Sequence, residues 1–288
     1  MFRRPVQSML ESSILDRSLL EKVIGRWVTS SNVDVAGTVL IVGGGSEDAR
    51  ILRSFGFHRI TLSNLRDFTG DELLQLEREG LSTVTADVED MATIPDNSYD
   101  LVFTHAVVHH CRSPHKALLE MLRVSRKHVV IMEPNESLIM RALVKLRFSF
   151  PYELTAVIAN NFESGGVRNG SVPNYIYRWN ARDMHQATAS YMPERGFDLY
   201  VRQYWDFNID SEDLARRSET RIGSVTRIIG PRLFLAGLRG FQAVVNHLPW
   251  LRSQGNKFFG CITKQEELKP WLQHDGDRIV FDRTYPQR

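Results

Sequence analysis

Thr38-Val39-Leu40-Ile41-Val42-Gly43-Gly44-Gly45-Ser46-Glu47-Asp48 runs from a β-branched apolar stretch, through three consecutive glycines, into a helical pattern. A strand that turns sharply into a helix leaves unpaired backbone N–H groups at the turn, and glycine lets a ligand come close to them. The dinucleotide fingerprint needs a third glycine at position 48, where helix, strand and pyrophosphate crowd together. This chain has Asp48 there, preceded by Glu47. Two carboxylates in a first helical turn suit the helix dipole but repel a pyrophosphate. The turn therefore favours a nucleoside cofactor that carries positive charge and no phosphate. The same glycines also read as a tight loop and nothing more.

Outward from this turn, residues 39–132 alternate short apolar runs with amphipathic helices, the pattern of a parallel sheet covered on both faces. Strands are expected at Thr38–Val42, Arg59–Ser63, Ser82–Ala86, Tyr99–Thr104 and Val129–Met132. Ser113-Pro114 caps the helix before the fifth, which is expected to close on Arg123, Arg126 and Lys127. Beyond residue 136 the rhythm changes. A helix at about Ala181–Met192, strands at Phe197–Trp205 and Lys257–Thr263, a basic helical insert at about 211–252 and a polar tail at 269–288 are expected. The sequence thus divides into an N-terminal helical segment (1–36), a cofactor-binding core (37–136), a substrate cap or lid (137–180) and the remainder of the sheet (181–268).

Composition limits the function classes. The 288 residues carry a formal net charge of +2, which gives no support for nucleic acid as the main partner. The two cysteines, Cys111 and Cys261, fit no metal spacing and suit a reduced, cytoplasmic chain. No signal peptide and no uncharged stretch long enough to span a bilayer is read from the sequence.

Four segments together resemble a class I S-adenosylmethionine-dependent methyltransferase of the small-molecule type. They are Val39–Ser46; Thr85-Ala86-Asp87-Val88-Glu89-Asp90 with Ile94-Pro95-Asp96-Asn97-Ser98-Tyr99-Asp100; His105–Cys111 with the helix Lys116–Val124; and the closing strands around Gly196-Phe197 and Lys257–Lys264. The resemblance covers about residues 37–135 and the final strands. It implies an α/β, Rossmann-like, doubly wound, mostly parallel seven-stranded sheet with an antiparallel last strand and a helical cap. It also implies S-adenosylmethionine as cofactor and S-adenosylhomocysteine as product. By the same resemblance Gly43, Gly44, Gly45 and Ser46 approach the methionine part of the cofactor, Asp87 accepts from the adenine amino group, and the Val88 N–H reaches a ring nitrogen. Read without it, Asp87 is a strand-end turn residue. The family often has an acid where this chain has Ile41, a glycine where it has Glu47, and a ribose-gripping acid where Ser63-Asn64-Leu65 stands. Asn64, with Leu65 beside it, takes that place without charge assistance, and Asp67 is the alternative.

Methyl transfer to a hydroxyl needs a base, and an imidazole suits that work. His105, at the end of strand four, is the first candidate, with His110 and Glu133 as further ones; packing or loop-holding is the bland reading of each. Asn161, Tyr175, Tyr177, Arg178 and Trp179 combine amide, aromatic faces and a guanidinium, a mixture that suits a polar ring such as a sugar and equally an ordinary surface loop. Gly165-Gly166…Gly170 suggests a mobile lid. No metal is expected. The arginines of 211–252, interleaved with aliphatics, allow a helix lying on a membrane, though a helix packed on its own domain is the more ordinary case. The expected activity is O-methylation of a small polar acceptor, a saccharide or specialised metabolite. The alternatives are a silent scaffold that kept the fold, an enzyme acting on a lipid-linked acceptor and, disfavoured by Asp48, a nicotinamide-dependent oxidoreductase.

Overall fold

A computed structural model describes residues 19–31, 33–207, 209, 214 and 221–286, so the expectations for 1–18 and for most of 210–220 lie outside the described residues. The elements are a helix over 19–30 (α1), β1 (Thr38–Val42), α2 (Ser46–Ser54), β2 (Arg59–Asn64), α3 (Gly70–Arg78), β3 (Ser82–Thr85), β4 (Tyr99–His105), α4 (Pro114–Val124) and β5 (Ser125–Pro134). There follow α5 (Leu138–Lys145), α6 (Leu154–Ala159), α7 (Ala181–Tyr191), β6 (Arg195–Tyr204), α8 (Arg221–Ile229), α9 (Pro231–His247), α10 (Pro249–Arg252), β7 (Lys257–Leu268), β8 (Leu272–Asp275) and β9 (Arg278–Phe281).

Seven strands form one sheet in the order β3-β2-β1-β4-β5-β7-β6, and β1 to β5 pair in parallel. Strand order reverses beside β1, the point at which open α/β sheets bind ligands. β7 runs against its neighbours. His128 Nδ1 lies 3.0 Å from Thr263 Oγ1, Lys264 Nζ donates to Ser125 O at 2.6 Å, and Asn135 N donates to Asn256 O at 2.9 Å, so rising numbers on β5 meet falling numbers on β7. The mostly parallel sheet with an antiparallel last strand is as expected.

Two compact units share the chain: residues 35–132, 181–201 and 260–288 form one, and 1–34, 133–180 and 202–259 the other. In the first, Val39, Leu40 and Ile41 of β1 are wholly buried together with Leu52 of α2 and Leu118, Met121 and Leu122 of α4. Asp100 ties β4 to the start of β1 by accepting from Thr38 N at 2.7 Å and Thr38 Oγ1 at 2.8 Å, and it also takes Arg126. Burial opposes the charge of Asp100, but those bonds prevail and hold its carboxyl below the usual range. In the second unit, the Trp27 and Phe259 rings lie 5.9 Å apart, and Met140, Trp205 and Val245 form a separate small core.

Three expectations change. β5 begins at Ser125, four residues early, because Arg126 pairs with Asp100 on the neighbouring strand instead of closing α4. Arg123 does end α4, yet its guanidinium binds Glu120, Asp96 and the carbonyls of Met91 and Ile94. The Pro-Asp-Asn-Ser run is therefore pinned to α4. The supposed polar tail holds an antiparallel hairpin, β8–β9, turned by Gly276 at φ 59°.

Candidate active site

Gly43, Asn64 and His105 stand at the carboxyl ends of neighbouring strands, in register because Val42 pairs with both Ser63 and Thr104. Ala86-Asp87 follows β3 in the same way, with Ala86 N donating to Asn64 O at 2.9 Å. Gly43 has φ 64°, and a Cβ there would sit 2.7 Å from Val107 Cγ1. Ala106, on the opposing loop, is also left-handed at φ 56°, a strained geometry for a residue with a Cβ.

The polar groups of this edge are paired in a way that no local pattern announces. His105 Nδ1 lies 3.0 Å from Asp48 Oδ1, with the imidazole one-third exposed and the carboxylate mostly covered. Since the carboxylate can only accept, Nδ1 carries the proton and Nε2 is left as the basic nitrogen. The other Asp48 oxygen lies over Gly44, where a Cβ would be 2.7 Å away. Glu47 turns outward to Arg50, at 2.6 Å. Both acids of the first turn thus have partners, which weakens the electrostatic argument against a pyrophosphate at this turn.

The remaining candidates on this side are held in different ways. Asp87 Oδ1 accepts from Glu89 N at 2.9 Å, orienting the carboxylate at the strand end. The buried Glu89 accepts from Arg112 N and Ser113 N at 3.1 and 2.7 Å and so fixes the loop after β4. Val88 is buried and Leu65 is 37% exposed. Asp67, the alternative ribose ligand, has Oδ1 taken by the Thr85 hydroxyl at 2.7 Å. Ser63 Oγ is buried without a partner among the described residues. The His110 ring lies 4.4 Å from that of the buried His109, in a one-turn 3₁₀ segment, Val108–His110.

Glu133 and the proposed acceptor residues belong to the other unit. Glu133 is 2% exposed. Trp179 is wholly buried; its N donates to Pro134 O at 2.8 Å and its O accepts from Glu136 N at 2.7 Å, so it is a core residue and not a free aromatic face. Arg178 spends its guanidinium on Phe150 O at 2.8 Å and Ile176 O at 3.2 Å, and burial pushes its pKa down. Tyr175 is open at 56% exposure and meets Tyr152 edge-on at 5.5 Å; Asn161 is exposed, and Tyr177 is half-buried against Trp179. The glycine-rich stretch is bonded to itself through Gly166 N to Gly170 O at 2.8 Å and Val167 N to Val172 O at 2.7 Å. Gly165, at φ 93°, and Gly166, whose Cβ would collide with the Val172 carbonyl, serve this tight closure. The segment expected as a lid is thus a loop closed on itself.

A cavity of about 1010 Å³ opens at the other end of the sheet, beside the starts of β4 and β5. Three of its cations are committed to structure: Arg123 and Arg126 to carboxylates, and Lys264, pushed down by burial to about 8, to Ser125 O. Asn64 and Asp87 stand instead at the carboxyl edge, where Ala86 N donates to Asn64 O.

Residues 43–132 match the model of the methyltransferase domain family. Over these residues the chain is similar to a methyltransferase domain, carried on a sheet whose strand order reverses beside β1. No curated protein matches it. Among solved structures, it is similar to the YcgJ protein of Bacillus subtilis, with 14% identity, coverage of 84% of this chain and 98% of the other, and TM-score 0.47. It is similar to magnesium protoporphyrin IX methyltransferase of Synechocystis with bound S-adenosylhomocysteine, with 14% identity, 72% and 85% coverage, and TM-score 0.47. A methyltransferase of Archaeoglobus fulgidus gives 14% identity, 91% and 100% coverage, and TM-score 0.45. A Cβ at Gly45 would meet no atom within 4 Å, whereas Cβ atoms at Gly43 and Gly44 would collide with neighbours, so the turn is open at Gly45.

Proposed function

We propose that the enzyme methylates a hydroxyl of a small polar acceptor, such as a saccharide or specialised metabolite, with His105 as the base. The His105–Asp48 pair at the carboxyl edge of the sheet carries this reading. When bound, the cofactor supplies a methyl group on a cationic sulfonium. His105 Nε2 takes the acceptor's proton, and Asp48 holds the ring's tautomer and stabilises the imidazolium that forms. Gly43–Ser46 lines the methionine part, Asn64 bonds a ribose hydroxyl, and Asp87 with the Val88 N–H reads the adenine edge. The engagement of Asp67 by Thr85 favours Asn64 for the ribose. Tyr175, Tyr177 and Asn161 are the acceptor residues this reading retains, while Arg178 binds the carbonyls of Phe150 and Ile176 and Trp179 is core.

Calorimetry with S-adenosylhomocysteine, joined to mass spectrometry of products from a panel of hydroxylated acceptors, tests the assignment. Asp87→Ala is expected to weaken product binding by about 1–3 kcal/mol. His105→Ala is expected to leave that affinity unchanged and to slow turnover by about 10²–10⁴-fold. Methyl groups found only on nitrogen or carbon, or full activity in His105→Ala, would sink the reading.

A further inference from the structure

The helical insert has apolar residues on two faces: Phe234, Leu235, Leu238 and Val245 of α9 are half-buried or buried, and further aliphatics are exposed. A helix on a globular surface normally turns its aliphatic stripe to the core and its polar residues to water. In α9 the inward positions include Gln242 and Asn246: Gln242 Oε1 accepts from Phe207 N at 2.8 Å, while Asn246 accepts from Trp205 N and donates to Trp205 O, both at 2.8 Å. Val245 is the buried aliphatic of the helix. The opposite face carries Leu233 at 65% exposure, Val244 at 61% and Leu248, just past the helix, at 41%. In α8, Gly223 and Thr226 are buried, while Val225, Ile228 and Ile229 are 36%, 84% and 43% exposed. Trp250 on α10 is 69% exposed. A run of branched aliphatics ending in an open tryptophan marks an interaction surface.

Charge identifies the occupant. Residues 221–252 contain Arg221, Arg227, Arg232, Arg239 and Arg252 and no aspartate or glutamate. Arg232 and Arg239, both exposed and two helical turns apart, run along one edge of the apolar stripe of α9. From there long side chains reach headgroup phosphates while their stems lie on the acyl boundary. Trp250 suits the same interface. α8 and α9 are bent by 110° to each other, and among the described residues no single helix is long and apolar enough to cross a membrane. A surface that is apolar in the middle, basic at the rim and bent by 110° is matched by an anionic bilayer that it enters from one side. We propose that α8–α10 dock this methyltransferase onto the headgroup region of an anionic lipid membrane, lying in its plane.

Flotation of the full-length protein with vesicles of phosphatidylcholine alone, or of phosphatidylcholine rich in phosphatidylglycerol, tests this. The expected result is flotation with the anionic vesicles only, weakening as salt rises. It should fall more than about tenfold in the double variant Arg232→Glu/Arg239→Glu, and equally in Ile228→Asp/Leu233→Asp. These side chains are exposed, so thermal melts should match the wild type and exclude misfolding as the cause. A blue shift of tryptophan emission on anionic vesicles, lost in Trp250→Phe, would locate the contact. Absence of flotation, equal flotation on both vesicle types, or flotation indifferent to both double variants would overturn the proposal. So would light scattering that shows a dimer in solution broken by Ile228→Asp/Leu233→Asp, since the face would then be covered by a second copy of the chain.

Discussion

In α4, Leu118, Met121 and Leu122 are wholly buried while His115 and Lys116 face solvent; in α9, Leu233 and Val244 are exposed while Gln242, Val245 and Asn246 point inward. Both helices alternate apolar and polar residues at helical spacing, and that spacing says a face exists without saying what it meets. α4 has a parallel sheet to cover. α9 has the backbone of Trp205 and Phe207 to satisfy, and two amides at i and i+4 do so better than any leucine. The peptide groups of Trp205 and Phe207 thus account for the two amides on the inward face of α9.

The contrast is broken most severely on the α4 side. Leu118→Ala is expected to cost about 2–5 kcal/mol in denaturant unfolding, as cavity-forming core substitutions do. Acid should distinguish the sheet next. Burial of His128, with Lys127 adding to the effect, lowers its pKa to about 4. The unfolded chain binds the proton near the ordinary value while the folded chain does not, so stability is full above that value and falls as pH drops towards 4. Between pH 7 and pH 5 the loss is about 2 kcal/mol, and a pH series of melts should show it flattened in His128→Asn. Asn246→Ala, which strips both bonds to Trp205, is expected to cost about 1–2 kcal/mol and to leave cofactor affinity intact. The smallest effect sharpens the comparison most. Leu233→Ala should change stability by no more than about 0.5 kcal/mol, against the several of Leu118→Ala, because its side chain has little burial to lose. A cost near that of Leu118 would show that α9 is covered after all.

Much of the sheet was legible because its signals are local. β1 ends where its aliphatics end, and the parallel alternation followed from runs too short and too apolar for anything else. What escaped is instructive. Arg126 and Lys127 read as a helix terminus until Asp100 on the neighbouring strand drew Arg126 into β5. Asp275-Gly276 was an available hairpin signal that the polar composition of the tail obscured. Glycines 165, 166 and 170 suggested freedom, yet two of them permit a crowded closure. Asp48 was weighed by its charge alone; its partner, His105, lies 57 residues away.

From its own order of residues this chain determined a glycine turn after a buried strand, the alternation that builds a parallel sheet, and the carboxylate at the end of β3, since each depends on neighbours within a few positions. Only the tertiary structure decided that Asp48 orients His105, that Trp179 is core, and that Leu233 and Val244 of α9 look outward. Those outcomes depend on which distant groups arrive to be satisfied, and burial belongs to the assembled neighbourhood, not to any residue in it.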